Sequence, residues 1–421
     1  MTFWYPFLNF LQPGILWPTL APYRPMVLAS LVAVTVTLGT RRVAALRADY
    51  FRHPVFVWLC VFVLIQVISV YYSGMRSMLE ELDFWLIYPL FVMTSLLPIR
   101  DLTALRRYIW GVMLGSAVVI GYGLVAVAIK SPDLAGGRAG AYGLYENHND
   151  YTFIILMVLP FVYYFIKLSR TRLSKLVLLT LLVACVTGVI LSLSRGGILA
   201  LVLEFMLIFG VSTRGTHRLF ALTAMCLIGA VAITHQFEAR EENQAGSYTA
   251  EDARTSRYEL WRAAGHMVVK HPLLGVGSRR FHEFAQDYGE ISHDNLGKVA
   301  HNTIIEVAAD TGLLGLASFL MMLYAMTRAL LEGNAQTDDR VMRALKNATL
   351  ITLGTIVFRS LLDAKVHDWS FYTLAVITIA LSVLGRRQAV QQVASESLTA
   401  DALAETPCEA PVRPAVYGRH H

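Results

Sequence analysis

His301 and Asn302 stand in the stretch VAHNTIIEVAADTGLLG (299–315), where a long polar segment re-enters an apolar helix. A histidine at a helix start on a membrane surface meets water on one side and lipid on the other. That suits a proton acceptor acting on a lipid-linked substrate, and the ordinary imidazole pKa of ~6.5 leaves the neutral base available near neutral pH. The structural alternative is that the pair caps the helix, a task for which asparagine is favoured.

Arginine is the second candidate chemistry. Arg138, Arg195, Arg254, Arg257, Arg262, Arg279, Arg280 and Arg359 fall on the face opposite the basic loops, where topology does not require them. A guanidinium fork matches phosphate oxygens in pairs, so the set points to a bound anion. Ion pairs with Glu251, Asp252, Glu259 and Glu283 are the alternative for the loop members. Arg195, in SLSRGG between two apolar runs, puts a cation at the membrane boundary, where it either binds something or snorkels. Gly196 and Gly197 beside it let a chain or a ligand come close. Arg138 opens GGRAGAYGLYENHNDYT, where Asn147, His148 and Asn149 precede another apolar run; helix capping accounts well for Asn149 and poorly for Arg138.

No metal and no cofactor is expected. His266, His271, His282 and His293 lack paired zinc spacing and a carboxylate cluster, and Asp338-Asp339 fall on the basic side of the topology. Arginines would then neutralise phosphate in place of a cation. Glu204, deep in an apolar run, reads as a paired structural carboxylate or a proton relay.

The elements that must position these groups are membrane helices. With 421 residues, 55% hydrophobic, 16% charged and a mean hydropathy of +0.51, the chain is too apolar for a soluble protein and is expected to be an all-α polytopic membrane protein. Four cysteines in apolar segments and a polar tail imply no disulfide framework. No cleavable signal peptide is evident, since the first apolar run lacks a basic leader and is broken by Pro13, Gly14 and Pro18.

Apolar runs near spanning length occur at 3–22, 25–40, 54–72, 82–99, 105–129, 150–167, 175–192, 196–212, 218–235, 301–327, 347–363 and 369–385, about twelve helices. Every second connection is rich in arginine or lysine, which makes those loops and both termini cytoplasmic. The organisation expected is nine helices in 1–235, an extracytoplasmic loop subdomain at 236–300, three helices in 301–387 and a disordered cytoplasmic tail at 388–421. Within the loop, Thr255 or Ser256 is expected to cap a helix running to Lys270, with Leu260, Trp261, Ala264, Met267 and Val268 on one face. A turn at Gly275 and Gly277 and a short helix over 278–288 follow.

Taken in order, RAGAYGLYENHNDYT, SLSRGG, RTSRYELWRAAGHMVVKHPLLGVGSRRF and AHNTIIEVAADTGLLGL resemble the bacterial O-antigen ligases, within the superfamily that includes O-antigen polymerases and protein O-oligosaccharyltransferases. Arg254 and Gly265, with ten residues between them, also fit a spacing of that group. The resemblance implies twelve transmembrane helices of glycosyltransferase C type and one large periplasmic loop. It implies metal-independent transfer of a glycan from undecaprenyl diphosphate to a sugar hydroxyl of lipid A-core, at the periplasmic face of the inner membrane among its lipids, with no nucleic-acid partner. His301 would be the base and Arg195 the diphosphate contact; Arg138, Arg254, Arg257, Arg279, Arg280, Asn302, Asn147, His148 and Asn149 would bind substrate. The single large loop favours a ligase over a polymerase. The competing class is a transporter or flippase of an anionic lipid-linked glycan, which would show repeats or broken helices; no repeat is evident.

Overall fold

The computed structural model describes residues 2–17, 19–20, 28–32, 35, 44–131, 137–212, 250–332 and 339–404. They are helical, with no strand among them. In chain order the helices are α1 (Trp4–Leu11), α2 (Pro13–Leu16), α3 (Ala44–Phe51), α4 (Pro54–Ser69), α5 (Met75–Leu96), α6 (Leu102–Ala128), α7 (His148–Leu168), α8 (Arg172–Leu191), α9 (Arg195–Ser212), α10 (Ala250–Lys270), α11 (Phe281–Tyr288), α12 (Thr303–Glu332), α13 (Arg340–Ser360) and α14 (Trp369–Ala404).

Six of them, α6, α7, α8, α12, α13 and α14, are long and apolar enough to cross a membrane, which makes this a multi-pass, all-helical membrane protein. The expected runs at 25–40 and 218–235 lie wholly or largely outside the described residues. The run at 3–22 is two short helices, because Gln12 turns the chain with φ 50° just before Pro13. The run at 54–72 is the 16-residue α4, and α5 begins at Met75, ahead of the apolar stretch, with Arg76 and Glu80 paired one turn apart. Side-chain caps set several starts: Asp101 accepts from Ala104 N–H, Thr171 from Ser174 N–H and Asp339 from Val341 N–H.

α7 is the inner helix, buried along most of its length and packed on α6, α8, α9 and α13. α14 packs on α5, α12 and α13. It continues to Ala404, past the expected end at 387, so residues 388–404 are helical where a disordered tail was expected; they carry Ala, Gln and Leu with no Gly or Pro, all permissive of helix.

The loop subdomain packs on the start of α12. Leu260, Ala263, Ala264 and Met267 form the buried stripe of α10, at helical spacing, and Leu260, Ala264 and Met267 cluster with Phe281 and Ala285 of α11 and Ala309 of α12. Trp261, expected on that face, is 38% exposed and uses its indole N–H to bond the Ala300 carbonyl at 2.8 Å.

α12 is broken at Gly312 (φ 63°, ψ −166°), a conformation open essentially to glycine alone. Pro272 to Gly277 runs alongside the break and takes up its backbone groups. Val276 N–H bonds Ala309 O, Gly277 N–H bonds Asp310 O, and Leu313 N–H bonds Pro272 O. The approach is close: a Cβ at Gly275 would stand 2.4 Å from the Ala309 carbonyl oxygen.

Candidate active site

His301 and Asn302 have different tasks. Asn302 caps α12, its side-chain oxygen accepting from the N–H groups of Ile304 and Ile305 at 3.0 and 3.2 Å. His301 lies just before the helix in the left-handed region, φ 50°, a conformation that histidine adopts more readily than most residues but that still stores strain. Its side chain is 32% exposed, and Nδ1 lies 3.3 Å from Oδ1 of Asp363. With the proton on Nδ1, that contact orients the ring and leaves the lone pair on Nε2, an atom that can accept a proton.

Asp363 belongs to the loop 361–368 between α13 and α14. The sequence placed it at the end of a span over 347–363, but α13 stops at Ser360. The loop is tied to the start of α12 by Thr303, whose hydroxyl donates to the Asp363 carbonyl and accepts from Lys365 N–H, both at 2.9 Å. Burial pushes the Asp363 carboxyl up, yet the His301 hydrogen bond and the charges of Lys365 and Arg359 outweigh it and hold the group at about 2. Arg359, 1% exposed, reaches Oδ2 of Asp363 at 3.6 Å and lies over the Phe153 ring. Burial pulls Lys365 down, but Asp150 at 2.5 Å and Asp363 reverse this and raise it. Asp363, Lys365 and Asp150 were not singled out as site residues from the sequence.

Arg195 is the first residue of α9, and the two motifs upstream converge on it. Arg138 donates from Nε to Ser192 O and from Nη2 to Leu193 O, both at 3.0 Å, and Ala139 N–H bonds Leu191 O. Asn149 accepts from Ser194 Oγ at 2.7 Å, while Asn147 caps α7 by accepting from Asn149 N–H. His148, the first residue of α7, is half-buried beside them. Arg138 and Asn149 thus hold the turn that presents Arg195. Gly196 matters for space: a Cβ there would lie 3.2 Å from Nη1 of Arg359, and at Gly197 one would lie 2.8 Å from Thr152. The close neighbours of these glycines are other parts of this chain.

Arg195 and Gly196 line a cavity of 460 Å³ with Leu199, Arg257, Tyr258, Trp261 and Leu362. Two of its walls are tied to the His301–Asp363 pair: Trp261 bonds the Ala300 carbonyl next to His301, and Leu362 precedes Asp363. Two guanidiniums and the positive end of α9 face one space, an arrangement that favours a doubly charged anion.

The other expected site residues lie elsewhere or outside description. Arg279 pairs with Glu81 of α5 at 2.9 Å and covers the Phe84 ring, and its N–H bonds Asp310 at 3.1 Å. Glu81 also accepts from the Trp85 indole, whose second partner is Ser278, so this corner fastens the loop to α5. Arg280 is half-buried just ahead of α11. Arg254 lies in α10, but its side chain is outside the described residues. His266 Nδ1 meets Tyr288 O and His271 Nε2 meets Tyr288 OH, both at 2.7 Å, so both turn to one tyrosine.

The sequence model of the O-antigen ligase family matches residues 180–320, which contain Arg195, Arg257, the cavity's loop wall and His301. A search of curated proteins finds no match to the chain. Over residues 180–320, about a third of its length, the chain is therefore similar to the O-antigen ligase family of membrane proteins.

Proposed function

We propose that this protein is a metal-independent glycosyltransferase that moves a glycan from undecaprenyl diphosphate to a sugar hydroxyl of lipid A-core at the periplasmic face of the inner membrane. His301 Nε2 takes the proton of the acceptor hydroxyl. The acceptor oxygen forms a bond to the anomeric carbon as the carbon–oxygen bond to the diphosphate breaks, inverting that centre. The electron pair leaves with the diphosphate, held by Arg195 and Arg257. These cations act most strongly as negative charge grows on the leaving group, so they stabilise the transition state more than the bound donor. Arg138, Asn147, His148, Asn149 and Asn302 position these groups from behind.

The observation that carries the reading is the His301–Asp363 contact at 3.3 Å beside a cavity faced by two arginines. A helix cap alone would not need a buried carboxylate on the imidazole. The break in α12 is a feature that transporters share, but its backbone groups bond to Pro272–Gly277, which favours a docked loop over a permeation path. The test is transfer by purified protein in liposomes supplied with lipid-diphosphate glycan and lipid A-core, with chelator in excess. Wild-type protein is expected to turn over in chelator, and His301→Ala to bind donor yet lose ~10²–10⁴ in rate. Rescue of chelated protein by manganese, or a His301→Ala rate within a few-fold of wild type, refutes the proposal.

A further inference from the structure

The end of the bundle away from His301 carries a second cationic cavity. α14 starts beside the Asp363 loop and reaches Arg386 seventeen residues later, about 26 Å along a helix, close to a bilayer's hydrocarbon thickness. α4 covers about the same distance in the opposite direction: His53 caps its start at the far end, and Ser69 at its finish accepts from Ser278 N–H near the site. Around His53 lie two adjoining cavities of 590 and 370 Å³ that share His53, Pro54 and Arg386.

Arg52, Arg386 and Arg387 line the larger cavity with Asp49. Arg387 binds Asp49 at 2.6 Å, and among the described residues neither Arg52 nor Arg386 meets a carboxylate; Arg386 donates to Ser382 Oγ at 2.8 Å. His53, 4% exposed, adds an independent sign. Its Nδ1 accepts from Val55 N–H at 3.3 Å, so the proton of the neutral ring sits on Nε2. Burial and the charge of Arg386 hold this imidazole down, at about 4, which keeps it neutral. Nε2 is buried and has no hydrogen-bond partner among the described residues, a donor in want of an oxygen. The smaller cavity adds an apolar flank: Trp58, Met321 and Tyr324 line one side of it, the paired Arg328 and Glu332 another, and Tyr324 is 56% exposed on the outside of the bundle.

We infer that these cavities form a binding site for the phosphate of an anionic phospholipid in the leaflet opposite the transfer site. Arg52, Arg386 and the Nε2–H of His53 take the headgroup, and the acyl chains lie along Trp58, Met321 and Tyr324. Free phosphate shares the headgroup chemistry but has no use for the apolar flank, which is why the lipid is the occupant.

The test uses the purified full-length chain in phosphatidylcholine nanodiscs with increasing phosphatidylglycerol, read by native mass spectrometry of retained lipid and by thermal unfolding. Wild-type protein is expected to retain phosphatidylglycerol over phosphatidylcholine and to unfold at a higher temperature in its presence. Loss of two headgroup cations in Arg52→Gln/Arg386→Gln is expected to weaken that retention on the order of 30-fold, from about fivefold per arginine. Equal retention of both lipids by wild type, which needs no variant to read, overturns the proposal, as does unchanged preference in the double variant. A third arm adds inorganic phosphate without anionic lipid; stabilisation there equal to that by phosphatidylglycerol assigns the site to a free anion and overturns the lipid.

Discussion

Replacing Asp363 with asparagine separates the chemistry of His301 from its surroundings. The substitution keeps the size of the side chain and removes its charge. An amide can present its NH₂ to Nδ1, moving the ring proton to Nε2 and leaving no lone pair for the acceptor hydroxyl. Comparable loss of the orienting carboxylate costs up to ~10⁴ in other His-dependent sites, and ~10²–10⁴ is the usual contribution of a general base, or about 3–5 kcal/mol of barrier. Stability falls too, because Arg359 keeps its charge at 1% exposure. Stranding a buried partner costs ~3–5 kcal/mol. The charges of Asp150 and Asp368, which also act on Arg359, put the expected loss near the lower end, about 3 kcal/mol. The assays are initial rates of glycan transfer in liposomes, donor binding, and thermal unfolding of the same preparation. Donor binding should persist, since Arg195 and Arg257 are untouched. Because wild-type Asp363 titrates at about 2, it stays ionised throughout the working range, and any acid limb in the wild-type rate belongs to another group. A folded Asp363→Asn protein that transfers glycan within a few-fold of wild type would refute the orienting role.

Arg195→Lys should insert and fold but lose most transfer, because a point charge cannot reproduce paired bonds to a diphosphate; near-normal rates would return Arg195 to a snorkelling role. Gly312→Ala should cost about 3 kcal/mol or more, combining backbone strain with a Cβ placed 2.4 Å from the Leu273 carbonyl carbon, and should expose residues 272–277 to protease; unchanged proteolysis would show that the loop does not depend on the break. Reporter fusions within 250–300 should read as periplasmic, and those at 167–175, 328–346 and after 387 as cytoplasmic; a cytoplasmic signal from 250–300 removes the basis for a periplasmic site.

The sequence made some of this site legible and hid the rest for physical reasons. Asn302 as a cap follows from residue type alone, and the structure agrees. The buried face of α10 follows from helical spacing, apart from Trp261, which a buried-stripe argument cannot distinguish from an indole spent on a carbonyl. Arg195 stands out because a cation between apolar runs is costly. That Arg138 serves the backbone of the same turn could not be read, since its partners are carbonyls 54 and 55 residues away. Asp363 was obscured because it reads as the last residue of the span 347–363, at the edge of the polar gap AKVHD, where acids are ordinary. Its one signal was company: an acid, a lysine, a histidine and a second acid within six residues, more charge than a short turn requires.

The break in α12 also bears on how the chain is made. Within a bilayer, the Leu313 N–H and the carbonyls of Ala309 and Asp310 have no water to turn to, and their partners are supplied by residues 272–277. Those residues leave the ribosome some thirty-five positions ahead of Gly312, so the strap is synthesised before the joint it must close. Delay its arrival, and α12 would enter lipid with an open seam; the order of synthesis therefore works as an assembly instruction, seating the loop subdomain and the half-helix next to His301 as one piece.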